Sequence, residues 1–382
     1  MAIKKVVLLL VCFMLLFAVI GLNAWSIEYD ISSVKDINVE FSEPLVEPQP
    51  VAYLKGKYFC QDGLKLDVEV EMDDSIEVGK VGRYPIKYTV SFLFLRKEIN
   101  GYYNIVDFES PTISFDFKHD EYILPGEDYN KFTAIDNYDG DVTDKVIVGV
   151  GADSVKYSVK DSFGNETVIV KKLVTDETKV IYLTFDDGPS KYTAELLDIL
   201  KKHNVKATFF VIGSSYSDIF ARMVEEGHAL GIHTYTHEFK DIYKSEENYF
   251  ADLNKISDLI YEKTGYRTNL LRFPGGGSNT VSRKYNKGIM TRLSSLVEEQ
   301  GFAYFDWNVD SGDAGGTTET EKVFENVKSG IGSKKKAIVL QHDTKKYSID
   351  AVESIIVWGK ENGYVFLPLN EFSFTAHHNI LN

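Results

Sequence analysis

Hydrophobic positions follow three different periods along this chain. The first is unbroken: after Lys4 and Lys5 the stretch Val6–Leu22 carries no charge, as an export signal or a membrane anchor requires, with the lysines left on the cytoplasmic side. Leu22 is too large for the position three residues before a cut after Ala24, so residues 1–25 read as an uncleaved anchor ahead of a cleaved signal peptide. The second period is two. From Ile37 to Thr175, apolar and polar residues alternate between turn signals such as Asp139-Gly140 and Phe163-Gly164-Asn165, the pattern of short sandwich strands. Within it Tyr84-Pro-Ile-Lys-Tyr-Thr-Val90 aligns with Asp153-Ser-Val-Lys-Tyr-Ser-Val159, which predicts two repeated β modules, 37–108 and 109–175.

From Val180 the pattern changes again. Short apolar runs at Val180–Phe185, Ala207–Ile212, Ala229–Ile232, Leu270–Phe273, Phe302–Trp307, Ala337–Leu340 and Val365–Leu367 alternate with helical periods such as Thr193–His203, Asn248–Lys263 and Asp350–Asn362. Seven βα units predict an α/β domain over 178–375, a distorted (β/α)7-type barrel. Composition narrows the picture. A chain of 382 residues, 44% hydrophobic, can build several cores, and a net charge of −15 argues against nucleic acid. With Cys12 in the apolar run and Cys60 alone, disulfides are not what holds the fold. Nothing points to an obligate protein partner.

The chemistry-bearing residues sit where those strands are expected to end. Asp186 and Asp187 follow the first, His233 the third, Arg272 lies on the fourth, Asp310 and Asp313 follow the fifth and His342 the sixth. Barrel enzymes keep their active sites at that C-terminal face. A single helical turn would set His233 and His237 on one side. With one carboxylate they make a His₂Asp set with open positions for water and substrate oxygen. Each motif alone has a bland alternative: the histidine pair as solvated surface, Asp-Asp-Gly as an ordinary turn. Their occurrence together, in order, outweighs both.

That order, Thr184-Phe-Asp-Asp-Gly-Pro189, His233-Thr-Tyr-Thr-His237, Arg272-Phe-Pro-Gly-Gly276 and Leu340-Gln-His342, resembles the polysaccharide deacetylase family, the NodB-homology domain or carbohydrate esterase family four. The resemblance implies a divalent metal, zinc first among cobalt, nickel, manganese and iron, held by Asp187, His233 and His237. It implies Asp186 as general base, Arg272 as the residue that keeps that base ionised, and His342 as general acid, oriented by Asp313 or Asp310 with Asp313 favoured. Leu340 would line the acetyl pocket, and Pro274, Gly275 and Trp307 the sugar groove. Two positions depart from the family's common pattern: Gly275 stands where an aromatic residue is usual, and Ala314 where tryptophan is. The first predicts a wider or differently shaped groove.

The function so implied is hydrolytic removal of N-acetyl groups from a cell-wall amino-sugar polymer, with peptidoglycan N-acetylglucosamine the expected substrate. An O-acetyl esterase on a xylan-like polysaccharide and a non-catalytic wall-binding protein are the alternatives. The second β module resembles bacterial immunoglobulin-like domains and the first repeats it more weakly. Both are read as spacers lifting the enzyme from the membrane into the wall, on the extracytoplasmic side. Asp136, Asp139, Asp141 and Asp144 could collect calcium but lack EF-hand spacing, so they are read as a solvated acidic turn. His203, His228, His377 and His378 fit no motif and are assigned solvated or structural places.

Overall fold

The computed structural model describes residues 25–30, 35–57, 60–117 and 119–382, and the apolar run Val6–Leu22 lies outside them. Among the described residues no helix is long and apolar enough to cross a membrane. Two compact units emerge. One gathers the described residues up to Ser114 with 133–147 and 158–168; the other holds 115–132, 148–157 and 169–382.

The repeat detected in the sequence corresponds to two long strands, Gly82–Phe92 and Ser154–Lys160, each paired on both sides within a four-stranded sheet. Period-two alternation works as expected: Ile86, Tyr88 and Val90 are buried, and so are their counterparts Val155, Tyr157 and Val159. Tyr157 meets Phe115 and Phe132 edge-on, with ring centroids 4.8 and 5.4 Å away. Those two rings belong to strands of a separate three-stranded sheet, so Tyr157 fills the space between two sheets.

The second unit is built on an eight-stranded sheet. In spatial order its strands are Ala303–Tyr304, Leu270–Leu271, Ala229–Ile232, Thr208–Val211, Val180–Asp186, Lys336–His342 and Val309–Asp310, with Val365–Phe366 alongside the start of Val180–Asp186. Every pairing is parallel. All seven residues of Val180–Asp186 are buried, as a strand covered on both faces must be. Ile181, Leu183 and Phe185 face the helices, while Val180 and Tyr182 join Phe210, Leu270, Phe305 and Ile338 on the inner side. Helix Thr193–Lys202 buries Thr193, Leu196, Leu197 and Leu200, the i, i+3, i+4, i+7 stripe.

The expected seven-unit barrel is corrected in one respect. The run expected as one strand over Phe302–Trp307 forms only Ala303–Tyr304, and a separate strand, Val309–Asp310, pairs with Lys336–His342 at the opposite edge. The sheet is thus a curled, open half-barrel whose edges are joined by the short link 305–308. Phe305 N–H donates to Leu271 on one side and Asn308 N–H to Ile338 on the other, so the link spans the gap itself.

Candidate active site

Sheet register brings the first pieces together. Asp186 and His342 are Cα partners at the C-terminal ends of adjacent parallel strands. Asp187, next in the chain, takes a left-handed backbone (φ 69°), one of the few non-glycine types to do so readily. That turn lets two neighbouring carboxylates serve one site: Asp187 Oδ1 lies 3.5 Å from His233 Nε2 and 3.4 Å from His237 Nε2.

These three residues fit a metal. Their ligand atoms lie within 4.8 Å of one another, and Asp187 Oδ1 is buried without a hydrogen-bond partner. Donors about 2.0–2.1 Å from a tetrahedral zinc ion would stand roughly 3.4 Å apart, close to the spacings found. His233 Nδ1 sits 2.8 Å from the Arg272 carbonyl. Donating its N–H there leaves Nε2 as the free lone pair, the usual device for orienting a metal-binding histidine. Burial, opposed by Asp187, pushes the His233 imidazole down to about 3, which keeps it neutral as a ligand must be.

The histidine pair is not on a helix, contrary to the expectation from its spacing. Residues 233–238 form an irregular loop in which Thr234 (φ 67°) and His237 (φ 57°) are left-handed, and helix begins only at Phe239. Asp252 holds the loop. Its Oδ1 accepts from the Tyr235 and Thr236 amides at 2.5 and 3.0 Å, and its Oδ2 accepts from the Thr236 hydroxyl at 2.9 Å. Sequence reasoning missed Asp252. The signal was there: it interrupts the buried stripe Tyr249, Leu253, Ile256 and Ile260 of helix Glu246–Thr264, where an unpaired carboxylate would be costly.

Arg272 is completely buried, with every arm engaged. Nε donates to the Phe305 carbonyl, Nη2 to the Asp306 carbonyl, and Nη1 to Thr184 Oγ1 (2.7 Å) and Asp186 Oδ1 (2.8 Å), while the guanidinium lies over the Phe210 ring. Burial pushes the Asp186 carboxyl above its ordinary range, and Arg272 only partly offsets it. Such a carboxylate is a stronger base than one in water.

His342 closes the site. Its Nδ1 is 2.7 Å from Asp313 Oδ1, and Asp313 Oδ2 accepts from the His342 amide (2.7 Å) and the Ser348 hydroxyl (2.6 Å). Burial lowers the His342 pKa, but the Asp313 hydrogen bond and the charges of Asp313, Asp186 and Asp187 outweigh it and lift it to about 9. Asp310 is exposed and caps the Gly312 amide instead.

The residues expected to line the groove have the following places. Pro274 is buried, its carbonyl accepting from Tyr243, and Gly275 is exposed with φ 77°. A Cβ at Gly275 would stand 3.2 Å from the Phe239 ring. Phe239, two residues beyond His237, and Asn279, whose Cγ would lie 3.3 Å away, therefore crowd a side chain placed at 275. Leu340 is buried beside Asp310, and Trp307 is half-buried against His378. The unmatched histidines are structural: His203 meets Glu353, His377 stacks on Tyr304, and His228 is buried with Nδ1 accepting from the Ala207 amide.

The polysaccharide deacetylase family profile matches residues 174–291. A peptidoglycan-N-acetylglucosamine deacetylase of Bacillus cereus is 37% identical over 209 residues, 52% of this chain and 71% of that protein. The chain belongs to the polysaccharide deacetylase family. A putative polysaccharide deacetylase of Bacillus subtilis, YheN, is 31% identical over 58% of this chain and 79% of its own. Among solved structures, the catalytic domain of peptidoglycan N-acetylglucosamine deacetylase from Eubacterium rectale is 49% identical and superimposes with a TM-score of 0.54, covering 55% of this chain and 96% of that one.

Proposed function

We propose that this deacetylase removes the N-acetyl group of N-acetylglucosamine in cell-wall peptidoglycan, using a divalent cation held by Asp187, His233 and His237. The observation that carries the reading is the convergence of that Asp-His-His set with two separately braced proton-transfer groups, Asp186 on Arg272 and His342 on Asp313. Bound there, zinc or a similar ion supplies Lewis-acid polarisation of the acetamido carbonyl and lowers the pKa of water.

The chain's own residues do the rest. Asp186 accepts the proton of the attacking water, its basicity raised by burial and its direction fixed by Arg272. The Gly275 amide, just past Pro274, donates to the developing oxyanion. His342, holding a proton to about pH 9, passes it from Nε2 to the departing amine, while Asp313 keeps Nδ1 protonated and the ring aimed. Leu340 and Trp307 bound the space for the acetyl methyl and the sugar.

In the same reading the protein works outside the cytoplasm, with Val6–Leu22 as its membrane anchor or export signal and residues 37–108 and 109–175 as immunoglobulin-like spacers. The test is mass spectrometry of digested wall fragments after treatment with the purified protein. Fragments should lose an acetyl group and gain free glucosamine, with muramic acid unchanged. Deacetylation at muramic acid, or acetate release only from O-acetylated polymers, would overturn the substrate assignment.

A further inference from the structure

Away from the active site, the unit containing the first repeat holds three buried carboxylates that no cation accompanies. Asp107 follows strand Leu95–Val106, Asp136 ends strand Phe132–Asp136, and Asp161 follows strand Ser154–Lys160. They are 2%, 3% and 8% exposed, and one carboxylate oxygen from each lies within 4.8 Å of the others. Among the described residues none of the three forms an ion pair.

Hydrogen bonding leaves the cluster incomplete. One oxygen of each is tied to nearby backbone: Asp107 Oδ1 to the Glu109 amide, Asp136 Oδ1 to the Tyr138 and Asp139 amides, and Asp161 Oδ1 to the amides of Phe163, Gly164 and Asn165. Yet among the described residues Asp107 Oδ2 and Asp136 Oδ2 are buried without a well-formed hydrogen bond, although the Asn137 side chain lies close enough to Asp107 to favour its charged form. Glu40, whose Oε2 accepts from the Phe108 amide, adds a further unpartnered oxygen, Oε1, and its charge acts on Asp107. Buried acceptors are normally satisfied, and buried like charges repel. Asp161 Oδ2 accepts from Asn165 Nδ2 (2.6 Å), while Asp107 and Asp136, held by backbone on one side and open on the other, give the cluster the form of a preorganised cation cage.

We propose that Asp107, Asp136 and Asp161 bind a calcium ion that ties these three strand ends together. The donor set is all oxygen, with no histidine or cysteine to favour zinc. Calcium accepts oxygens at about 2.3–2.6 Å, so donors across one ion stand up to roughly 5 Å apart, whereas magnesium at about 2.0–2.1 Å demands a tighter cage. Glu40 Oε1, backbone carbonyls and water complete the shell. The acidic turn read from the sequence is corrected at Asp136 alone; Asp141 and Asp144 are exposed as expected. Asp136 is buried, not solvated. Asp139 pairs with Lys145 and Ser162, Asp141 caps Thr143, and only Asp136 of the four belongs to the cluster.

The test is calorimetric titration of calcium chloride into the metal-stripped full-length protein, with thermal unfolding followed in parallel. The expected result is one calcium per chain, with a dissociation constant at or below the ~10⁻⁴–10⁻³ M of extracellular modules, and a melting temperature that rises with calcium. Asp136→Asn keeps the backbone-bonded oxygen and should weaken binding at least about tenfold, while zinc-reconstituted deacetylase activity on a soluble oligosaccharide is unchanged. Should that variant fail to fold, Asp107→Asn takes its place. No calcium-dependent heat or stabilisation up to about 10 mM, an order of magnitude beyond that range, or wild-type affinity in the variant, would overturn the proposal.

Discussion

Replacing Asp313 by asparagine isolates the proton on His342. Asp313 Oδ2 receives two donors, the His342 amide and the Ser348 hydroxyl, so the asparagine carbonyl must take that side. Its NH₂ then faces His342 Nδ1, which has to become an acceptor, and the imidazole is held neutral. The hydrogen bond and charge of Asp313, the strongest of the influences that lift His342 to about 9, are removed, leaving only Asp186 and Asp187 to oppose burial. At pH 7 the imidazole should pass from almost wholly protonated to mostly neutral. Together with the wrong tautomer, this should lower kcat by about 10²–10⁴-fold, the range general acid catalysis contributes. KM and metal content should change little, because Asp313 is not among the three proposed ligands. Steady-state kinetics with metal analysis reads the first effect. NMR titration of the imidazole in metal-stripped protein reads the second, with His342 titrating well below about 9. A kcat within twofold of wild type, or an imidazole still titrating near 9, would refute the assignment of Asp313 and His342.

The remaining predictions separate ligand, base and scaffold. His233→Ala should lose both metal and acetate release, whereas Asp186→Asn should retain metal and lose about 10²–10⁴-fold in kcat; metal loss in the latter would mean that the two aspartates have been exchanged. His228 concerns stability alone: burial holds it near 4 against an ordinary 6.5, so the unfolded chain binds the extra proton between those values. Its contribution is complete above about pH 6.5 and is lost as pH falls toward 4, about 2–3 kcal/mol of it by pH 4.5. His228→Asn keeps an acceptor for the Ala207 amide and should flatten that loss in urea melts at pH 7 and 4.5. An unchanged slope would place the acid sensitivity elsewhere.

Much of the site was legible in the sequence because parallel strands end where chemistry begins, and buried strands announce themselves as apolar runs. Asp186, His233 and His342 each follow such a run, and register alone then makes Asp186 and His342 neighbours. What escaped depends on partners distant in the chain. The spacing of His233 and His237 fits a helix as well as a loop, and only Asp252, on another element, selects the loop by accepting its amides. Asp107 and Asp161 lie far from the acidic turn that drew attention to Asp136, so no local spacing could join them. The link 305–308 looked like the end of one long strand because Phe305-Asp306-Trp307-Asn308 alternates apolar and polar residues as a strand does.

Gly275 carries the same lesson into the groove. An aromatic residue absent at that position suggests an opening there, but the space beside it is filled by Phe239, whose ring would meet a Cβ at 3.2 Å. That ring also packs edge-on against His237 and Tyr243, with centroids 5.5 and 5.4 Å away. Phe239 stands at the start of the helix after the histidine loop. It is therefore tied to a proposed metal ligand, and a change at Phe239 should act on both the groove and the aim of His237. A glycine read by itself predicts room; the fold decides who occupies it.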